Sequence, residues 1–222
     1  MTKVSNLTNS QMKVLLVNGS PHKEGCTYTA LTEVAKTLNE EGIDTEIFWI
    51  GLKPLAGCNG CVTCAKTGHC KYNDSVNDFL DIAGDADGFI FGSPVHYASA
   101  GGAIISFMDR LFFADSCSGK GSFYLKPAAA VVSARRAGTT ATFDQLNKYF
   151  TMTQMPVISS RYWNMVHGAM PGDVKKDLEG LQTMRILARN MAFFLKCKDA
   201  ALKTGIPLPK KEETVYTNFI RE

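Results

Sequence analysis

The chain opens on a polar, aperiodic stretch, residues 1–11, and turns abruptly apolar at Met12-Lys-Val-Leu-Leu-Val17 before closing on Asn18-Gly19-Ser20. A short run of β-branched and leucine side chains bounded by turn residues marks a strand buried on both faces of a parallel sheet. After the polar loop Ser20-Pro-His-Lys-Glu-Gly-Cys26, Leu31, Val34, Ala35 and Leu38 recur at helical spacing over residues 27–41, and Gly42 stops the pattern. The alternation then repeats. Residues 45–50 predict a second strand, residues 75–83 a helix capped by Asp74 or Ser75, and residues 88–92 a third strand. Ile104, Ile105, Phe107, Met108, Leu111 and Phe112 define an amphipathic helix after Gly101-Gly102. Residues 128–133 predict a fourth strand, 140–151 a helix and 156–159 a short fifth strand. The longest helix is expected over 174–203, with Val174, Leu178, Leu181, Leu187, Met191 and Phe194 facing inward.

Strands alternating with helices require right-handed crossovers and helices on both faces of a parallel sheet. The expected fold is therefore α/β, a three-layer doubly wound sandwich on a five-stranded parallel sheet. The domain boundaries follow the pattern: residues 1–11 a flexible N-terminal extension, 12–204 one domain, 205–222 a C-terminal arm. Two prolines and a Lys-Lys-Glu-Glu run end the helix there. The arm carries Tyr216, Phe219 and Ile220, and exposing each large apolar side chain costs roughly 1.5–3 kcal/mol. It is expected to pack on its own domain or on a second subunit.

Composition narrows the function classes. The 222 residues are 45% hydrophobic and 20% charged, which excludes wholesale disorder and leaves enough apolar material for a single large core. No run approaches the ~18 apolar residues of a membrane helix, and the polar start lacks the apolar segment of a secretory signal, so a cytoplasmic protein without a membrane partner is expected. A net charge of +3 with scattered basic residues argues against nucleic acid.

In an open parallel sheet, ligands bind outside the carboxyl ends of the strands where the strand order reverses, so the loops there carry the candidate chemistry. The first, Gly19-Ser-Pro-His-Lys-Glu-Gly-Cys-Thr27, opens directly onto a helix N-terminus, whose free N–H groups and dipole favour a phosphate; Ser20 and Thr27 add hydroxyl donors. The same residues equally suit an ordinary capped turn. No Gly-x-Gly-x-x-Gly and no Walker loop occurs, which argues against a dehydrogenase or ATPase. After the third strand comes Ser93-Pro-Val-His-Tyr-Ala-Ser99, and after the fourth Ser133-Ala-Arg-Arg-Ala-Gly-Thr139.

Four features taken in order, VNGSPHKEGCT, the Cys58–Cys70 segment, ADGFIFGSPVHYAS with FMDRL behind it, and SARRAG, resemble the flavodoxin-like NAD(P)H-dependent FMN reductase family, including the iron–sulfur flavoproteins. The resemblance covers about residues 12–196. It implies the strand order 2-1-3-4-5, FMN as cofactor and NAD(P)H as co-substrate. By that resemblance Ser20, His22, Cys26 and Thr27 hold the FMN phosphate, although the family often has Arg or Lys in place of His22 and Asn in place of Cys26. Pro94, Val95, His96 and Tyr97 run under the isoalloxazine, and Ser133, Arg135, Arg136 and Gly138 border it. Hydride transfer from nicotinamide to flavin has no obligatory side-chain acid or base, so no catalytic residue is assigned. Asp109 and Arg110 read as structural.

Seven cysteines in such a chain pack as small apolar groups, bind metal or react more often than they form disulfides. Cys58, Cys61, Cys64 and Cys70 fall in one loop after the second strand. Their spacing suits a cubane iron–sulfur cluster better than zinc and looks like the ligand pattern of the iron–sulfur flavoproteins. Free thiols in a packed loop are the other reading, and both stay open. Cys117 and Cys197 are expected to be buried, and Tyr162, Trp163 and His167 to lie in the core or an interface. The expected activity is electron transfer from NAD(P)H through FMN to a small-molecule acceptor or redox protein. The alternatives are a flavin-plus-cluster electron-transfer module and a redox-sensing flavin protein without turnover. The family habit implies a homodimer or dimer of dimers.

Overall fold

The computed structural model describes residues 11–217, 219 and 220; the expected N-terminal extension lies outside them except for Gln11. β1 (Lys13–Asn18) is buried at every position but the first. It occupies the middle of the sheet, parallel to β2 (Asp44–Trp49) on one side and β3 (Gly88–His96) on the other. β5 (Ala128–Ala134) pairs parallel with β3, and β6 (Met165–His167) with β5, so the order is β2-β1-β3-β5-β6. Those five parallel strands have the expected order 2-1-3-4-5. A sixth, β4 (Ser99–Ala100), folds back antiparallel on the end of β3.

Side chains alternate across the strands and so divide the core in two. Val14 and Leu16 face α1 (Cys26–Glu40) and α7 (Leu178–Lys203), packing with Leu31, Val34, Leu187 and Met191. Leu15 and Val17 face the other layer, made by α3 (Ser75–Ala83), α4 (Gly102–Ser118) and α5 (Thr139–Met152). Phe79, Phe89, Phe91, Phe107 and Phe150 fill that side, with Phe79 edge-on to Phe107 at 5.6 Å between centroids. Two single-turn helices, α2 (Cys64–Thr67) and α6 (Pro171–Val174), lie in the loops.

Several expectations are corrected. The segment 156–159 contributes only an isolated bridge, Ala128 to Val157; the strand proper is β6, later in the chain. Between them the backbone turns out of the sheet around Ser160, whose Oγ donates to the Asn164 side chain at 2.7 Å, and Asn164 re-enters by donating to the Ala130 carbonyl at 3.0 Å. The expected helix 174–203 is split. Asp177 accepts from the Gly180 N–H at 2.9 Å and caps a new start, which places Leu178 in the first turn, off the buried face and 74% exposed. Cys197 is exposed rather than buried, and Cys117 is half-buried. Tyr162 and Trp163 form an exposed aromatic pair, centroids 5.0 Å apart, rather than part of the core. Along the arm Val215, Tyr216 and Phe219 are almost fully exposed, while Lys211 lies over the Tyr124 ring at 5.5 Å from its centroid.

Candidate functional site

The strand order reverses between β1 and β3, and the loops leaving the carboxyl ends of β1, β3, β5 and β6 meet there. They enclose an open cleft of about 260 Å³ lined by Ser20, His22, Cys26, Thr27, Pro94, Val95, Ser133 and Arg135 among the expected residues. His96, Tyr97, Arg136 and Gly138 are not part of that lining. His96 and Tyr97 stand at the tip of the β3–β4 hairpin, where Ala98 N–H donates to the His96 carbonyl at 2.9 Å and Tyr97 takes a φ of +63° with its ring in solvent. A bulky residue held there costs of order 1–3 kcal/mol, and such strain gathers at functional sites. Gly138 packs behind the cleft: its φ is +93°, and a Cβ would stand 2.7 Å from Val95 Cγ1. Arg136 is exposed.

Local hydrogen bonds shape the first loop. Asn18 Oδ1 accepts from Ser20 N–H at 3.1 Å, its Nδ2 donates to the Lys23 carbonyl at 2.9 Å, and Ser20 Oγ accepts from His22 N–H at 3.1 Å. Trp49 Nε1 holds the Ser20 carbonyl at 2.8 Å from the end of β2. α1 has Gly25 as its N-cap and no side-chain cap, so its first-turn N–H groups have no side-chain acceptor there, and Cys26 and Thr27 of that turn line the cleft. Gly92 lets α1 approach β3: a Cβ there would meet Thr27 Cγ2 at 2.8 Å and Leu31 Cδ1 at 2.9 Å. Thr27 Oγ1 and Ser133 Oγ are 2.8 Å apart and buried. Burial and the Asp173 carboxylate push the Cys26 thiol above its ordinary pKa, so Cys26 stays neutral in the cleft. An uncapped helix start beside Ser20 and Thr27 fits a phosphate, and the strip between Pro94–Val95 and Ser133–Arg135 leaves space for a flat ring system.

Ala134, inside the expected Ser133–Gly138 loop, also lines the cleft, as do Gly168 and Ala169, which the sequence does not point to. Gly168 and Ala169 follow the carboxyl end of β6, so the signal for them was the position of the last strand, placed too early.

The four clustered cysteines gather around a second, small cleft with Tyr72, Arg110 and Phe113. Cys58 and Cys61 are exposed, Cys70 half-buried and Cys64 buried. A hydrogen bond from the Thr63 hydroxyl lowers the Cys61 thiol pKa, whereas burial and the adjacent Cys117 thiol raise that of Cys64. Among the described residues no three His, Cys, Asp or Glu side chains converge as ligands of one metal ion. The chemistry of the donor set, four thiols lining one cleft, is that of an iron–sulfur ligand set, in which each thiolate would bind its own iron.

A parallel sheet in this order, with a cleft at its switch point floored by a helix N-terminus, defines a flavodoxin-like protein. Residues 12–169 match the model of the NADPH-dependent FMN reductases, and the chain belongs to that family. It is 34% identical over 194 residues to an iron–sulfur flavoprotein of Methanocaldococcus jannaschii, covering 83% of this chain and 98% of that protein. An iron–sulfur flavoprotein of Archaeoglobus fulgidus is 26% identical over 192 residues, covering 81% and 95%. Among solved structures, the flavoenzyme NAD(P)H:acceptor oxidoreductase FerB of Paracoccus denitrificans superposes with a TM-score of 0.62 at 16% identity, over 84% of this chain and 98% of that one. The chain is thus an oxidoreductase of a flavoprotein family. No helix among the described residues is long and apolar enough to cross a membrane.

Proposed function

We propose that this protein binds FMN in the cleft at the carboxyl edge of the sheet and transfers electrons from NAD(P)H to a small-molecule acceptor or a redox protein. The observation that carries this reading is the convergence of the Ser20, Thr27 and Ser133 hydroxyls with the uncapped start of α1 in one cleft. The chemistry that bound FMN would supply there is acceptance of one hydride, carrying two electrons, and release of those electrons one or two at a time. Ser20, Thr27 and the α1 N–H groups hold the phosphate. Pro94 and Val95 support one side of the ring, and Arg135, exposed at the cleft edge, favours the negative charge that reduction adds. The cleft is open to solvent, which suits a bulky nicotinamide donor and a variety of acceptors at the same face. A homodimer in which the C-terminal arm or the Tyr162–Trp163 pair meets a second copy fits the apolar surface both leave exposed.

The test is an FMN titration of the purified chain followed by anaerobic addition of NADH or NADPH. Tight one-to-one uptake and bleaching of the visible flavin band are expected; a chain that takes up no FMN overturns the reading, and bound FMN that neither nucleotide bleaches removes NAD(P)H from it.

The four cysteines around one cleft favour a second reading, a flavin-plus-cluster electron-transfer module in which Cys58, Cys61, Cys64 and Cys70 would hold a 4Fe-4S cluster. Such a cluster supplies one-electron chemistry beside a two-electron cofactor. Iron and sulfide analysis after anaerobic purification decides between the two.

A further inference from the structure

Arg110 projects from the middle of α4 and is 1% exposed, the largest fully buried side chain described. Its guanidinium has five N–H donors, and each finds an acceptor. Nε donates to Cys70 Sγ at 3.1 Å. Nη1 donates to Asp74 Oδ2 at 2.7 Å and to the Ala56 carbonyl at 3.4 Å, and Nη2 to Asp74 Oδ1 at 2.9 Å and the Tyr72 carbonyl at 3.2 Å. The Tyr72 ring lies 4.9 Å from the guanidinium carbon. Ala56 precedes the cysteine segment and Tyr72 follows it, so one side chain ties both ends of the loop that carries all four thiols. Asn77 of α3 fixes the same end from the other side, accepting from the Cys70 N–H at 2.8 Å and donating to the carbonyls of Cys70 at 2.9 Å and Tyr72 at 3.1 Å.

The Asp74 carboxylate and the Ala56 and Tyr72 carbonyls together account for the four Nη donors. Here the remaining donor, Nε–H, is aimed at a sulfur that lines the cysteine cleft. A positive charge and an N–H bond at a thiolate both favour the more negative state of whatever that thiolate ligates, and hydrogen bonds to sulfur raise the potential of iron–sulfur centres. We propose that Arg110 is a positioning residue of the cysteine cleft: it holds the Cys58–Cys70 loop closed at both ends, orients the Cys70 sulfur, and makes the centre carried there easier to reduce. This rests on the flavin-plus-cluster reading. It adds to that reading a role for a residue outside the four ligands.

The experiment reconstitutes the full chain anaerobically with ferrous iron and sulfide, as wild type, Arg110→Lys and Arg110→Gln. Iron and sulfide content, the midpoint potential, FMN stoichiometry and thermal melting are measured on each. Lysine keeps the charge but has no planar Nε–H for Cys70, and glutamine loses the charge. The expected order of midpoint potentials is wild type highest, lysine lower and glutamine lowest. A lysine variant that binds FMN and melts as the wild type does yet fails to load also supports the role. Should the glutamine variant not fold, the lysine variant decides. If it loads to wild-type content at an unchanged potential, the role of Arg110 is overturned while the cluster reading stands. A wild-type chain that takes up no iron and sulfide overturns both.

Discussion

Thr27 Oγ1 and Ser133 Oγ share a hydrogen bond of 2.8 Å across 106 residues of sequence, joining the first turn of α1 to the penultimate position of β5. Both side chains are buried and both line the candidate flavin cleft, so the bond fixes the spacing of α1 and β5 there. Ser133→Ala leaves the Thr27 hydroxyl without its buried partner, which costs about 1–3 kcal/mol. The expected result is a lower urea midpoint together with weaker FMN binding, read from quenching of flavin fluorescence. Unchanged affinity with lowered stability would separate the bond from the site.

The phosphate seat predicts a choice between ligands. In the proposed seat Ser20 meets the phosphate and not the ring, so Ser20→Ala should weaken FMN binding by roughly tenfold, the scale of one charge-assisted hydrogen bond. Riboflavin, which has no phosphate, should bind the Ser20→Ala variant about as well as it binds the wild type. Parallel titrations with the two flavins check this, and an equal loss for both would move the phosphate elsewhere.

Gly92 allows α1 to sit directly on β3. Gly92→Ala would set a methyl 2.8 Å from Thr27 Cγ2 and 2.9 Å from Leu31 Cδ1, both in a buried region. Overpacking of this kind costs typically ~1–3 kcal/mol, and the displaced Thr27 would take the cleft wall with it. Chemical denaturation should show the loss of stability, and FMN affinity should fall in step.

Tyr149 donates to Asp109 between α5 and α4, and burial together with that carboxylate raises the tyrosine pKa above its ordinary 10.0. A folded-state value above the unfolded one means that the stabilisation is fully present below pH 10 and is lost as pH rises through the folded value. Tyr149→Phe should therefore be less stable than the wild type at pH 8, with the gap narrowing above pH 10. Denaturation midpoints across that range are the measurement; a gap that stays constant with pH would assign the effect to packing alone.

Much of this site was readable along the chain because parallel topology puts loop function at one end of every strand. The apolar run Val14–Val17 fixes where the first loop begins, and the small and hydroxyl residues from Gly19 to Thr27 mark it as a ligand turn. The hairpin at His96–Ala100 was not legible, since a two-residue strand has no periodicity to detect. The last strand was placed at 156–159 because Pro156–Ser159 has the apolar character of a strand, yet the ladder there is reduced to one bridge and resumes at Met165. That shift concealed Gly168 and Ala169 in the cleft wall.

By itself the sequence settled β1, β2, β3 and β5, the helices α1, α3, α4 and α5, the layered architecture and the family, because side-chain periodicity records burial and the motifs occur in order along the chain. Tertiary structure alone decided that Thr27 meets Ser133, that Leu178 and Cys197 face solvent, and that Arg110 reaches both ends of the cysteine loop. These are pairings between distant segments, and they depend on the angles and distances at which packed layers come together, which local patterns of apolar and polar residues do not encode.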